Sequence, residues 1–472
     1  MNQTAASQSK KIIYLTAGAA GMYCGSCLHD NTLARGMLQQ GWDIQLVPTY
    51  TPIRTDESDI SIDQVLFGGL NVFLQQKIPI FRHLPYFLDR FLDNPKLIRR
   101  VTARAIDTDA NTLGALAVSM LKGIDGFQRK EVVRSCQWLK QQQPDLLILT
   151  NLLIGGGVPY LKSPKLQFRA PVLVTLQGDD VFLDGLKPPY RDQCLQLIQK
   201  IIPCIDGFIT HTEFYREMMA NYFKIPPEKI FVTPLGIDVD DFKSFLPKAI
   251  PIVNDGKIET LSLPSSGSHD ATISSVISPR STRHPRAIGY LARLAPEKGL
   301  HRLVDAFIEL KRNPEFADVR LEVAGWLGPP HQNYAESQWK RLKEAGLKDH
   351  YRYWGAVDRN EKLNFLNQID LLCATAEFLE PKGLYVLEAM AAGVPVIAVN
   401  RGSFPEIIQA SQGGVLYKHD QPENLVGCMQ ELLGDADQRT KLGRQGQQHI
   451  HHFRNTEAMV SAMGKLIHRF VI

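Results

Sequence analysis

The chain has 472 residues, with 53 Lys+Arg against 49 Asp+Glu and a formal charge of +4. Hydrophobic residues make up 44% and charged residues 22%, ordinary globular values that exclude disorder, a fibrous repeat or a disulfide-stapled miniprotein for the bulk of the chain. At roughly 100–200 residues per domain the length favours two large or three small domains, and so weak a net charge implies no nucleic-acid partner.

The chain opens on a polar stretch ending in Lys10-Lys11, followed by Ile12-Ile13-Tyr14-Leu15. That apolar run is too short for a signal peptide and reads as a first strand, 11–16. The loop after it, Gly18-Ala-Ala-Gly21-Met-Tyr-Cys24-Gly25-Ser26-Cys27, opens a helix expected to run to about residue 40. Its glycines lack the G-x-G-x-x-G spacing of a dinucleotide fingerprint. Cys24 and Cys27 have the spacing of a redox or metal pair, but no second C-x-x-C completes a zinc site. A second strand is expected at 44–48.

The stretch 77–104 carries seven Lys/Arg against two Asp, interleaved with Ile78, Phe81, Tyr86, Phe87, Phe91, Leu97 and Ile98. Such a mixture suits either amphipathic helices packed on the domain or a peripheral contact with an anionic membrane. Val132, Val133, Cys136 and Leu139 share one helical face, and buried strands follow at 146–150, 172–176 and 207–211. The longest apolar stretch, 146–161, is interrupted by Gly155-Gly156-Gly157 and Pro159 and falls short of the roughly 20 residues of a spanning helix.

Between Thr260 and Pro285 lie eleven Ser/Thr and three Pro with few large apolar side chains. Such a composition buries too little surface to offset its ordering entropy. The expected organisation is therefore a first domain at 1–245, a flexible linker or insertion at 246–285, a second domain at 286–455, and a terminal helix at 456–472 that packs back on the first domain. In the second domain strands are expected at 287–292, 320–324, 371–374 and 394–399, alternating with helices at 301–311, 336–345, 361–367 and 384–392. This is the α/β pattern of parallel, doubly wound sheets. Two such domains place a ligand cleft between the carboxyl ends of their strands. The seven cysteines are odd in number and scattered, which favours reduced thiols and a cytoplasmic location. His449, His451 and His452, before the terminal helix, read as a solvated tail rather than a metal site.

Two stretches carry the chemistry. The first, Gly289-Tyr-Leu-Ala-Arg293-Leu-Ala-Pro-Glu-Lys298-Gly299, leaves a strand and opens a helix, so Arg293 and Lys298 stand beside free N–H groups suited to a diphosphate. Alone, they read equally as two solvated cations beside Glu297. The second runs from Glu380-Pro-Lys382-Gly383-Leu384-Tyr385 to Glu388 and on through Gly393-Val-Pro-Val-Ile397. An acid ahead of a helix N-terminus accepts sugar hydroxyls, or simply favours the helix dipole.

Together the two stretches resemble the retaining glycosyltransferases of family 4 (glycosyl transferases group 1), whose GT-B architecture is two facing Rossmann-like domains. Arg293 and Lys298 match that family's diphosphate motif, and Glu380 and Glu388 its E-x7-E motif. Thr233-Pro-Leu-Gly236-Ile-Asp238, Gly402-Ser-Phe-Pro-Glu406 and Gly413-Gly-Val-Leu416 follow in the matching order.

The resemblance implies hexose transfer from a nucleotide diphosphate sugar, serving as co-substrate, to a hydroxyl acceptor, with retention by same-face attack and with no metal or other cofactor. Arg293 and Lys298 are then expected at the leaving diphosphate, Glu380 at sugar hydroxyls, and Gly383, Leu384 and Tyr385 presenting N–H groups. Glu388 is expected at the ribose, Val357 beside the base, and Gly21, Gly25 and Ser26 near phosphate or acceptor. Two departures stand out. Gln177, in Thr175-Leu-Gln177-Gly-Asp179-Asp180, replaces the family's usual His and is expected to donate a hydrogen bond to the sugar, with Asp179 or Asp180 sharing the acceptor side. Pro381-Lys382 replaces a small-aromatic pair and adds a cation. Two other readings stay open: a nucleotide-sugar hydrolase or epimerase acting without an acceptor, and an idle nucleotide-sugar binding protein.

Overall fold

In a computed structural model of the chain, which describes residues 10–18, 24–62, 65–84, 110–246, 250–254, 257–261 and 286–471, the two halves form separate six-stranded sheets. The first sheet contains β1 (Lys11–Thr16), β2 (Asp43–Pro48), β3 (Leu146–Leu149), β4 (Val172–Thr175), β5 (Gly207–Thr210) and β6 (Ile230–Val232). A hairpin of β7 (Ile250–Asn254) and β8 (Lys257–Leu261) follows. The second sheet contains β9 (Ala287–Leu291), β10 (Arg320–Ala324), β11 (Tyr351–Tyr353), β12 (Leu371–Ala374), β13 (Val396–Val399) and β14 (Gly414–Tyr417).

Both sheets are parallel throughout, with orders β2-β1-β3-β4-β5-β6 and β11-β10-β9-β12-β13-β14. Strand order therefore reverses between β1 and β3 in the first sheet, and between β9 and β12 in the second. Chains leaving such a pair diverge to opposite faces and open a crevice at the strand ends. Both reversal points carry the motif loops.

Strands covered on both faces need apolar side chains pointing each way, which is why they read as continuous runs. In β1, Ile13 and Leu15 enter one core with Val132, Cys136 and Leu139, while Ile12 and Tyr14 enter another with Leu33, Met37, Met459 and Val460. The second sheet has one larger core. Its helix Leu300–Leu310 buries Leu300, Leu303, Val304, Phe307 and Leu310 along one stripe, each contributing roughly 1.5–3 kcal/mol. The edge strands β6, β11 and β14 are only three or four residues long and partly exposed, so any apolar run in them is too short to announce a strand.

Several expectations change. Leu235, Ile237 and Phe242 already belong to the second core, ahead of the boundary expected at 245. Part of the stretch expected to be a flexible linker forms the antiparallel β7–β8 hairpin, and 262–285 lies outside the described residues. The helix Thr456–Ile467 packs, where the terminal helix is expected, against the helix Gly25–Gln39 of the first domain, so the chain crosses from one sheet to the other and back. The two crossings lie side by side: the Ile237 N–H donates to Arg454 O at 2.9 Å, and the Thr456 hydroxyl donates to Ile237 O at 3.3 Å. His449, His451 and His452 are not a tail. They lie in the helix Ala436–Phe453, where an Nε2 of His451 meets Ala391 O at 3.1 Å. Of 77–104, only 77–84 is described. Ile78 and Ile80 are 41% and 63% exposed, whereas Arg82 packs its guanidinium 3.5 Å over the Phe127 ring. Among the described residues no helix is long and apolar enough to cross a membrane.

Candidate active site

Four chain exits meet between the sheets. β1 leads to the helix Gly25–Gln39, β4 to the short helix Asp179–Asp184, β9 to Leu300–Leu310, and β12 to Leu384–Ala391. They enclose a cleft of about 610 Å³ lined from both domains. Gly25, Ser26, Gln177, Asp179, Arg293, Lys298, Val357, Glu380, Lys382, Leu384, Tyr385 and Glu388 all line it. Gly383 is the N-cap of the helix behind Glu380 and Asp180 faces elsewhere, while Gly21 lies outside the described residues.

The two motifs of the second domain are built as one unit. Gly299 has φ of 75°, and a Cβ there would stand 1.7 Å from the Thr375 carbonyl oxygen, so only glycine lets the two strand exits touch. Thr375 then donates its hydroxyl to Gly299 O at 2.9 Å. This contact brings Lys298 Nζ to 2.8 Å from Glu380 Oε2, with the ammonium 4.4 Å above the Phe378 ring. Burial opposes ionisation of Glu380, but the Lys298 ammonium holds its carboxyl below the usual carboxylate range. Arg293 is more open and pairs with Glu297 at 3.3 Å. The Gly402-Ser403 turn backs this loop, since the Ser403 N–H donates to Glu380 O at 2.9 Å and its hydroxyl to Pro381 O at 2.8 Å.

On the first-domain side, Gln177 lines the cleft with its amide held by protein partners. Its amide nitrogen donates to Asp30 Oδ1 at 2.9 Å and to Thr150 Oγ1 at 3.1 Å, and its Oε1 accepts from Lys382 Nζ at 3.0 Å. A carboxylate only accepts and an ammonium only donates, so the amide has a single workable orientation. The two sequence departures, Gln177 and Lys382, are thus one feature joining the domains. Lys382 also donates to Ser26 Oγ at 2.8 Å, and burial pulls its pKa down. The contacts of the two aspartates are with the protein itself. Asp179 accepts the N–H groups of Leu152 at 2.7 Å and Gln177 at 3.1 Å, bracing the β3 and β4 exits, and burial pushes its carboxyl up to about 7. Asp180 accepts the Tyr215 hydroxyl at 2.5 Å.

Two family models match the chain: "Glycosyl transferases group 1" over residues 278–449 and "Glycosyltransferase Family 4" over residues 127–241, together more than half of it. The chain belongs to the family 4, group 1 glycosyltransferases. It transfers sugar from a nucleotide sugar. A D-inositol 3-phosphate glycosyltransferase of Corynebacterium glutamicum is 24% identical to this glycosyltransferase over 317 residues, 65% of this chain and 68% of its own. Among solved structures, sucrose-phosphate synthase from Thermosynechococcus elongatus superimposes with a TM-score of 0.64 at 17% identity, covering 98% of both chains. Anabaena HepE in complex with UDP and glucose gives 0.61 at 14% identity, covering 98% of this chain and all of its own. The fold is GT-B.

Three residues that order the cleft of the glycosyltransferase are not marked by the sequence motifs. Asp30 is fully buried and accepts from Tyr14 at 2.5 Å, Thr16 at 2.7 Å, Thr150 at 2.6 Å and Gln177, with His29 Nδ1 at 3.2 Å. Its signal was an acid on the inward stripe formed by Cys27, Leu33, Ala34 and Met37. Lys362 contacts Glu388 Oε1 at 2.5 Å and also pairs with Asp56, so the expected ribose carboxylate is bridged to the first domain. Burial opposes the charge on Lys362, but Glu388 and Asp56 raise its pKa.

Glu377 fixes the start of the helix Leu300–Leu310 in this glycosyltransferase. It accepts from Arg302 Nε at 2.5 Å and meets His419 Nε2 at 2.8 Å, and its own N–H donates to Glu297 O at 2.9 Å. Burial works against ionisation, yet the hydrogen bonds to Arg302 and His419 bring its carboxyl down to about 2 from 4.5. Its folded-state pKa is depressed, so its stabilisation is present above about pH 4.5 and lost as the pH falls toward about 2. Glu377→Gln therefore lowers the melting temperature at neutral pH, lowers it far less in strong acid, and flattens the acid limb between. Equal losses at both extremes in a thermal-melt series would contradict this.

Proposed function

We propose that the protein moves a hexose from a UDP-, GDP- or ADP-linked donor to a hydroxyl acceptor with retention at the anomeric carbon and without a metal ion. The observation that carries this reading is the pairing of Lys298 with Glu380 between two helix N-termini, in a cleft lined by both domains. A diphosphate leaving group is stabilised by cations and N–H donors fixed in place before reaction. Lys298, Arg293 and the helix starts at Leu300 and Leu384 supply them without a divalent ion. Glu380 takes sugar hydroxyls as the diphosphate engages Lys298, with the Gly383, Leu384 and Tyr385 N–H groups toward sugar or phosphate. Glu388 takes the ribose hydroxyls and Val357 borders the base. The donor phosphate accepts the acceptor proton on the face from which it leaves. The reading has the protein act in the cytoplasm, with the exposed Ile78 and Ile80 beside Lys77 and Arg82 as the edge that meets an anionic membrane carrying the acceptor.

A thermal-shift panel of UDP, GDP, ADP and their sugars, run in EDTA, tests it. The matching nucleotide at 100 times its dissociation constant stabilises by about 2.7 kcal/mol, and acceptor product formed from its sugar carries the donor's anomeric configuration by NMR. Shifts that appear only with added divalent ion, or an inverted product, overturn it.

A further inference from the structure

We propose that Cys24 and Cys27 form a covalent modification site inside the cleft, joined as a disulfide by a peroxide, and that the oxidised pair blocks sugar transfer.

The two residues span the start of the helix Gly25–Gln39, Cys24 at the N-cap and Cys27 in the first turn. Helix geometry puts such a pair at roughly 5–6 Å between Cα atoms, inside the range a disulfide tolerates. Both line the cleft. Cys24 is partly open to it, and Cys27 lies behind at 1% exposure. The Cys27 thiol hydrogen-bonds the Cys24 sulfur and lowers its pKa to about 5. Burial opposes the shift, and the N–H groups of the helix start and the Lys382 ammonium assist it. Cys24 is thus the attacking thiolate and Cys27 the neighbour that resolves it. The other buried thiols differ: burial pushes Cys136 up to about 12 and Cys194 up to about 11, and raises Cys373.

The Cys24 thiolate attacks a peroxide oxygen, giving a sulfenic acid and hydroxide, which takes a proton to become water. Cys27 then gives up its proton and its sulfur attacks the sulfenic sulfur, expelling a second hydroxide as water. Two thiols and one peroxide give one disulfide and two waters, and a thiol reductant reverses the bond. Before oxidation Cys27 holds its proton tightly, because Cys24 and burial both raise its pKa. Once Cys24 is a neutral sulfenic acid, that charge is gone and resolution becomes easier. The disulfide also removes an anion facing Lys382, leaving the Asp30 and Glu380 carboxylates as the charges acting on it and the neutral Ser26 Oγ and Gln177 Oε1 as its hydrogen-bond partners. Ser26 lies between the two cysteines in sequence, so joining their sulfurs disturbs the contact that Lys382 makes across the domains.

The intact protein, treated with stoichiometric hydrogen peroxide and digested with trypsin, reads the site directly. The peptide 12–35 holds Cys24, Cys27 and no other cysteine. It should lose two hydrogens, resist alkylation, and recover both properties with dithiothreitol. Turnover should fall by about tenfold to a hundredfold, as for an electrostatic group displaced in a site, and return on reduction, while Cys24→Ser shows no peroxide sensitivity. Both thiols remaining alkylatable overturns the site. A disulfide formed without loss of turnover, or equal peroxide loss in Cys24→Ser, overturns its link to catalysis. The turnover reading rests on the reaction proposed above and the mass reading does not. No turnover in the reduced protein therefore counts against that reaction and leaves the thiol pair standing.

Discussion

Lys298→Ala is expected to lower turnover by about 10²–10³, the scale seen when one fixed electrostatic stabiliser is lost, and Glu380→Ala by a similar factor. Lys298 and Glu380 are 15% and 7% exposed, and the pair lies where two helix N-termini converge. In the resting protein each neutralises the other. On the proposed reaction, the donor's diphosphate competes for Lys298 and frees Glu380 to accept hydroxyls, so removing either partner disables both ends of the exchange. Breaking a buried pair also leaves an uncompensated charge, at about 3–5 kcal/mol. Thermal melts of each variant therefore accompany the kinetics and separate unfolding from lost chemistry. Folded variants with wild-type-like rates would remove both residues from the reaction.

The second large effect is expected at a residue that meets no substrate. Asp30→Ala should destabilise the protein by about 3–5 kcal/mol, because the hydroxyls of Tyr14, Thr16 and Thr150 and the amide of Gln177 lose a shared acceptor in a fully buried place. Burial opposes the charge on Asp30, but hydrogen bonds from His29, Thr150 and Tyr14 hold its carboxyl below the usual range. With the anchor gone, Gln177 is free to turn and Lys382 loses its fixed acceptor. Chemical denaturation measures the stability term. A loss under about 1 kcal/mol would mean that water replaces the carboxylate and the network is not what orders this side of the cleft.

The central strands of each sheet were legible because a strand buried on both faces must be apolar on both. β1 and β10 keep the bounds expected of them, whereas β6, β11 and β14 left no comparable run. The cleft residues were legible from their place at strand exits, but their partners were not. Gln177 and Lys382 each stood out alone, yet they lie 205 positions apart and only the facing of two sheets makes them a pair. Asp56 and Lys362 had still less to mark them, since a charged residue on a loop and another on a helix look solvated until the opposite domain arrives. The His-rich run misled because composition suggested exposure, whereas the helix Ala436–Phe453 returns along the second domain.

The paired crossings at Ile237 and Asn455 set what this enzyme can do between turnovers. A single tether would let the two halves twist, slide and separate independently. Two strands of chain fastened to each other act like a door hinge, leaving one easy rotation and stiffening the rest. The distances across the cleft, from Lys382 to Gln177 and from Lys362 to Asp56, then change together along one angle. On the proposed reaction, opening for the donor and for the product would then follow that one rotation.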